Sequence, residues 1–361
     1  MPERSGRWSL EELELADPAP HEVLVRVVAS GICQTDVHAR DGYFPVPWPA
    51  VYGHEGTGVV ERVGGAVASV APGDHVIMAN PSCGECANCR EGYEAYCARG
   101  REIKLCGLRM DGSIALRKGD APVHGSFFQQ SSFSTVALAT ERNVIKVAQD
   151  APLDVLAAFP CGVNTGTGAV MNVLKPRPGD SFAVFGAGTV GLAGLMAAKL
   201  RGCDPIIAVD VFDNRLALAQ NLGATHVVDA RRPDVAAEVR RIAGGRGVRL
   251  SLEAAGVPSA LRAAVDALAP RGVCCLVGSA RVGIDAALDM SILQQGRAVR
   301  GCIQGESVVR DFLPQLVELY RAGQLPVDRL VRRYEFAAIN EAVADMLSGA
   351  TIKAVLSIGR V

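Results

Sequence analysis

The stretch "SFAVFGAGTVGLAGLMAAKLRGCDPIIAVDV", Ser181 to Val211, constrains the fold more than any other part of the chain. Ser181 to Phe185 reads as a buried parallel strand; Gly186, Gly188 and Gly191 form GxGxxG, and a helix continues to about Arg201. Ser181 to Ala198 holds eighteen residues without a charge, long enough for a membrane span. Strand, glycine turn and helix account for that apolarity, so no membrane segment is expected. The glycines permit the turn, admit a pyrophosphate and let helix and strand pack closely, while the helix N-terminus favours negative charge. A second strand, "PIIAVDV", carries Asp210, nineteen residues after Gly191. A carboxylate there holds the ribose hydroxyls and repels a 2′-phosphate, which favours NAD over NADP. Arg215 is a further ribose-side candidate.

Strands and helices keep alternating through "ATHVVDA", Val235–Ile242, "VRLSLEAAG", Ser259–Leu268 and "GVCCLVGSA". The expected fold class is α/β, with a doubly wound Rossmann sheet over residues 160–300. Upstream, "HEVLVRVVASG", "GTGVVERVG" and "GDHVIMAN" alternate with period two, and prolines punctuate them, so a β-rich, barrel-like domain is expected over 1–159. Residues 301–361 are expected to return helices and a strand to it. No internal repeat is present.

The chain has 361 residues, a net charge of −1 and no block of like charges, which argues against nucleic acid as a partner and for small neutral or weakly charged substrates. The opening "MPERSGRWSLEELEL" lacks an apolar signal region, so a cytoplasmic location is expected. The eleven cysteines are then expected to be reduced and free to bind metal.

Four of them fall in "CGECANCREGYEAYC". Cys83, Cys86, Cys89 and Cys97 have the spacing of a tetrahedral four-thiolate site, with zinc favoured over an iron–sulfur cluster. Such a site has no open position and contains no base, so its role is structural. Cys203, Cys274, Cys275 and Cys302 read as small core residues.

Cys33 in "SGICQTDVHARDG", His54 in "VYGHEGTG" and Cys161 in "AFPCGVNTGTG" offer two thiols and an imidazole. They are grouped because this set is a known catalytic zinc pattern, not because spacing demands it. Three ligands leave a fourth place for water or an alkoxide. Asp36 is a candidate to orient the imidazole, and Glu55 is a second outer residue. Thr35 and His38 are candidates for a proton relay.

GHE, the four spaced cysteines and GAGTVG together resemble the zinc-dependent medium-chain alcohol dehydrogenase family, along essentially the whole chain. The resemblance implies a GroES-like catalytic domain, NAD, two zinc ions per subunit and a homodimer or homotetramer. It assigns Cys33, His54 and Cys161 to catalytic zinc, Cys83, Cys86, Cys89 and Cys97 to structural zinc, and Thr35 and His38 to the relay. It places Thr165, Val190 and Val277 with the cofactor, and Lys353 at its pyrophosphate. "GSFFQQSSFSTVAL" and "ERNVIKV" are similar to the aryl-alcohol branch, which implies oxidation of benzylic or allylic primary alcohols to aldehydes. Phe44 and Trp48 are candidates to line the pocket for the alcohol or aldehyde.

The chain departs from the family at Gln34, where a basic residue is usual beside the cofactor phosphate. It also lacks the first strand, so a shorter sheet edge or an upstream start is expected. The alternatives are a thiol-dependent formaldehyde dehydrogenase of the same fold and a non-catalytic nucleotide-binding zinc protein.

Overall fold

The computed structural model describes residues 6–360. The chain divides into two compact units, one of Met1–Cys161, Val308–Glu318 and Val327–Val361, the other of Gly162–Ser307 and Leu319–Pro326.

The first unit contains β1 (Glu14–Leu15), β2 (Glu22–Gly31), β3 (Gly56–Val63), β4 (His75–Met78), β5 (Leu116–Lys118), β6 (Ala121–Val123), β7 (Val136–Thr140) and β8 (Val144–Val147). The alternation in "EVLVRVVASG" sets β2 at its centre. Val23, Val25 and Val27 point into a core with Val60, Val76 and Met78, while Leu24 faces a small cluster with Ala115 and Leu138. Gly58 lets β3 approach β2, since a Cβ there would lie 2.1 Å from the Arg26 carbonyl.

The second unit holds β9 (Phe182–Phe185), β10 (Ile206–Asp210), β11 (His226–Asp229), β12 (Val248–Glu253), β13 (Leu268–Leu276) and β14 (Ala298–Gly301). They form one sheet in the order β11-β10-β9-β12-β13-β14, parallel throughout. The helices Thr189–Leu200, Asp213–Leu222, Val235–Ile242 and Pro258–Asp266 supply crossovers. β9 and β10 are buried along their whole length, as strands covered on both faces must be. The apolar run from Ser181 is thus a strand, a turn and a helix, and no helix among the described residues is long and apolar enough to cross a membrane. Cys203, Cys274, Cys275 and Cys302 are buried in this unit.

The chain then adds β15 (Val331–Glu335) and β16 (Lys353–Ser357) to the first unit, two strands where one was expected, because "VRRYE" pairs parallel with "KAVLS". The large sheet runs β15-β16-β2-β3-β4-β8, with β7 also on β2. At the chain start, residues 6–13 form no strand, and β1 pairs with β5 in a separate three-stranded sheet; residues 1–5 of the expected missing strand lie outside the described residues.

Candidate active site

β2 ends at Gly31, and the chain turns at Cys33 into the helix Gln34–Arg40. Asp36 caps that turn, one carboxylate oxygen accepting the Cys33 N–H at 2.9 Å. Its other oxygen lies 2.9 Å from His54 Nδ1 and accepts the Gly53 N–H at 3.2 Å. Gly53 takes φ +95°, and a Cβ there would lie 2.4 Å from the Phe133 nitrogen, so the residue beside His54 must be glycine. With Nδ1 committed to Asp36, His54 Nε2 is buried with no hydrogen-bond partner.

The turn of helix Phe159–Val163 carries Cys161, whose Sγ stands 3.8 Å from that of Cys33. Ligand atoms of Cys33, His54, Glu55 and Cys161 all lie within 4.8 Å of one another. Zinc–sulfur bonds of about 2.3 Å at a tetrahedral angle put two sulfurs roughly 3.8 Å apart, so the thiols and the orphan nitrogen fit a zinc ion. The hydrogen bond from Cys161 holds the Cys33 thiol well below its ordinary value, favouring the thiolate, the ligand form. Burial opposes a charge on His54, but Asp36 outweighs it and raises the imidazole.

Glu55 follows His54 into β3 and is fully buried. Burial pushes its carboxyl up to about 7 against the pull of Lys353, whose ammonium it accepts. Lys353, expected at a pyrophosphate, is 2% exposed and also donates to the Ile32 carbonyl at 3.1 Å. Thr35 and His38 lie half-buried on one helix, three residues apart, and Gln34 is exposed at its start. The His38 ring stacks on Tyr43 at 4.7 Å and meets Phe44 edge-on at 6.0 Å. Phe44 and Trp48 pack against the core that includes Tyr52, Phe127 and Phe128.

Sequence reasoning did not identify the wall around His54. Phe128 lies 4.6 Å from the imidazole, and Phe127 meets it edge-on at 5.8 Å. Gln130 donates to the His54 carbonyl at 3.1 Å and accepts the Gly56 N–H at 3.0 Å. In the sequence "GSFFQQSS" carries only a branch likeness; four of its residues, Ser126, Phe128, Gln129 and Ser131, take positive φ, a local departure that no turn signal announces.

Cys83, Cys86, Cys89 and Cys97 form a second group with sulfurs within 4.8 Å. Gly84 and Gly92 supply left-handed turns at φ +78° and +84°. The N–H groups of Cys83, Cys86 and Ala98 point at sulfurs at 3.3–3.4 Å, as around a bound tetrathiolate ion. The residues present fit a closed zinc site.

In the second unit the three glycines differ in what they permit. Gly186 takes φ +97°; a Cβ at Gly191 would lie 1.8 Å from the Gly186 carbonyl; one at Gly188 would meet open space, where a phosphate can pass. Asp210, 5% exposed at the end of β10, accepts the N–H groups of Ala187 at 2.6 Å and Phe212 at 2.9 Å. Arg215 sits 3.8 Å from it, its guanidinium 4.6 Å over the Phe212 ring. Gly166 seats the helix Asn164–Gly168, with Thr165, against Val190, since a Cβ there would lie 1.9 Å from the Val190 carbonyl. Val277 follows β13, its N–H on the Glu253 carbonyl at 2.9 Å. This cradle fits a dinucleotide.

A parallel dinucleotide fold, a GroES-like sheet and a two-thiol, one-imidazole site define a zinc-type dehydrogenase. Residues 19–149 match the family described as alcohol dehydrogenase GroES-like domain, and residues 189–321 match zinc-binding dehydrogenase. A geraniol dehydrogenase of Castellaniella defragrans is 39% identical, covering 97% of this chain and 94% of its own. The crystal structure of a benzyl alcohol dehydrogenase from Acinetobacter calcoaceticus is 41% identical with a TM-score of 0.96, covering 99% and 98%. That of an alcohol dehydrogenase zinc-binding domain protein from Burkholderia ambifaria is 46% identical with a TM-score of 0.96, covering 99% and 97%. The chain belongs to the zinc-dependent medium-chain alcohol dehydrogenase family.

Proposed function

We propose that this enzyme reversibly oxidises primary alcohols whose hydroxyl carbon adjoins an aromatic ring or a double bond, giving the aldehyde and reducing NAD. The observation that carries the reading is the open Cys33, His54, Cys161 set backed by the flat rings of Phe127 and Phe128. Geraniol and benzyl alcohol, the substrates in two relatives' names, share this chemistry.

A zinc ion held by Cys33, His54 and Cys161 would polarise the substrate oxygen and stabilise negative charge on it. Asp36 fixes the imidazole that holds it, and the aromatic wall excludes water. Thr35 accepts the alcohol proton at its hydroxyl oxygen as it releases its own, and His38, one turn along the same helix, takes up the relayed proton and passes it toward solvent. Asp210 selects NAD by occupying the space of a 2′-phosphate with negative charge. The four-cysteine lobe holds a second, structural zinc, and the subunits assemble as a homodimer or homotetramer.

Steady-state NAD reduction with benzyl alcohol, geraniol and ethanol, alongside zinc content on the same preparation, tests the proposal. Two zinc ions per chain with the unsaturated alcohols far ahead of ethanol is the expected result. Ethanol equal to either would overturn the substrate class.

A further inference from the structure

The end of the second unit's sheet opposite the glycine turn carries a basic pocket that the dehydrogenase reading does not use. Its volume is about 290 Å³, and Lys175, Arg177, Arg249 and Arg271 line it with a single carboxylate, Asp180. Among the described residues none of these four cations has a carboxylate in ion-pair range. Asp180 is engaged by its own turn, accepting the Arg177 N–H at 2.8 Å. Arg201 lies close by, 3.5 Å from the Pro176 carbonyl.

The backbone is shaped to bring these charges together. Lys175 takes φ +47° directly after the helical segment Ala169–Leu174. Arg271 takes φ +64° within a bulge: β12 advances from Val248 to Leu250 while β13 advances from Leu268 to Val273. The Arg249 guanidinium donates to the Arg271 carbonyl, and the Arg271 N–H bonds Gln295 at 3.0 Å, which pins the bulge. Left-handed backbone at a non-glycine residue is costly, and here it occurs at two cations of the same pocket. All four basic side chains are exposed, so water screens part of their mutual repulsion, and a bound anion would remove the rest.

We propose that this pocket binds a small phosphoryl polyanion, a di- or triphosphate chain that is free or carried on a nucleotide. Guanidinium groups match phosphate oxygens with paired donors, and Lys175 adds a point charge. A concavity of this size admits a few phosphates, whereas duplex nucleic acid needs an extended basic face. The site is separate from the glycine turn. β9 leads from Asp180 toward Gly186, and its four residues span about 13 Å.

The test is calorimetric titration of the zinc-loaded enzyme, saturated with NADH, with tripolyphosphate, ATP and AMP in turn. One saturable site per chain is expected, weakened by added salt and at least tenfold in the double variant Arg177→Gln, Arg271→Gln. Equal affinity for tripolyphosphate and ATP identifies a free phosphate chain, and tighter ATP identifies a nucleotide; AMP should bind weakly. No saturable heat, or heat unchanged in the variant, overturns the proposal, since it then reports metal chelation or another site. A DNA duplex binding more tightly than tripolyphosphate also overturns it. If the double variant does not melt cooperatively, Lys175→Gln provides the same comparison.

Discussion

The ammonium of Lys353 is sealed against the carboxylate of Glu55, 298 positions away in sequence, with the side chains 3% and 0% exposed. A buried pair of this kind costs more to break than it contributes whole, because either partner left alone is an uncompensated charge. Lys353→Met is expected to destabilise the fold by about 3–5 kcal/mol, and adding Glu55→Gln to recover much of that loss. Thermal melts of both variants check this, and additive losses would show that the two residues act independently.

Asp36 serves two elements at once, closing the turn at Cys33 and holding His54 Nδ1. Asp36→Asn keeps an acceptor for the Cys33 N–H but removes the charge behind the imidazole. We expect zinc affinity at that site to fall about 10–100-fold, with a parallel loss of turnover. Competition with a chromogenic chelator measures the affinity, and an unchanged value would remove Asp36 from the metal site.

Cys97 closes the four-thiol lobe, and its side chain is also buried beside Ile103. Cys97→Ser is expected to cut the zinc content from the proposed two ions per chain to one and to lower the melting temperature. Alcohol oxidation should persist in the cold, because the lobe has no open coordination position. Loss of both ions from a folded variant would contradict separate catalytic and structural sites.

What was legible in the sequence is what chemistry forces into a short span. Gly186 and Gly191 have no substitutes in that turn, and four thiols in fifteen positions leave few alternatives to a metal. The wall around His54 was hidden because its rings arrive through a left-handed segment at Phe128 and Gln129, which depends on packing with distant residues. Lys353 was legible as basic but not as the partner of Glu55, since β16 reaches β2 only through the completed sheet. The basic pocket was equally invisible, its cations lying in separate segments that a bulge brings together.

The proposed preference for NAD rests on Asp210. Its oxygens accept the Ala187 and Phe212 N–H groups, and its charge lies 3.8 Å from Arg215. Asp210→Ser is expected to raise the ratio of kcat/KM for NADP over NAD roughly tenfold or more, as the repulsion is lost and Arg215 is freed for a phosphate. An unchanged ratio would move selectivity elsewhere.

Gly188 and Gly191 separate coenzyme binding from folding. Gly191→Ala drives a Cβ to 1.8 Å from the Gly186 carbonyl, so it should destabilise the second unit by about 1–3 kcal/mol or more. Gly188→Ala meets no protein atom within 4 Å, so its melting temperature should stay at the wild-type value. Its added methyl stands instead on the proposed path of the pyrophosphate to the helix N-terminus, and the KM for NAD should rise at least tenfold. If Gly188→Ala kept full NAD affinity, the open space beside residue 188 would not be the phosphate path, and the GxGxxG turn would serve packing alone.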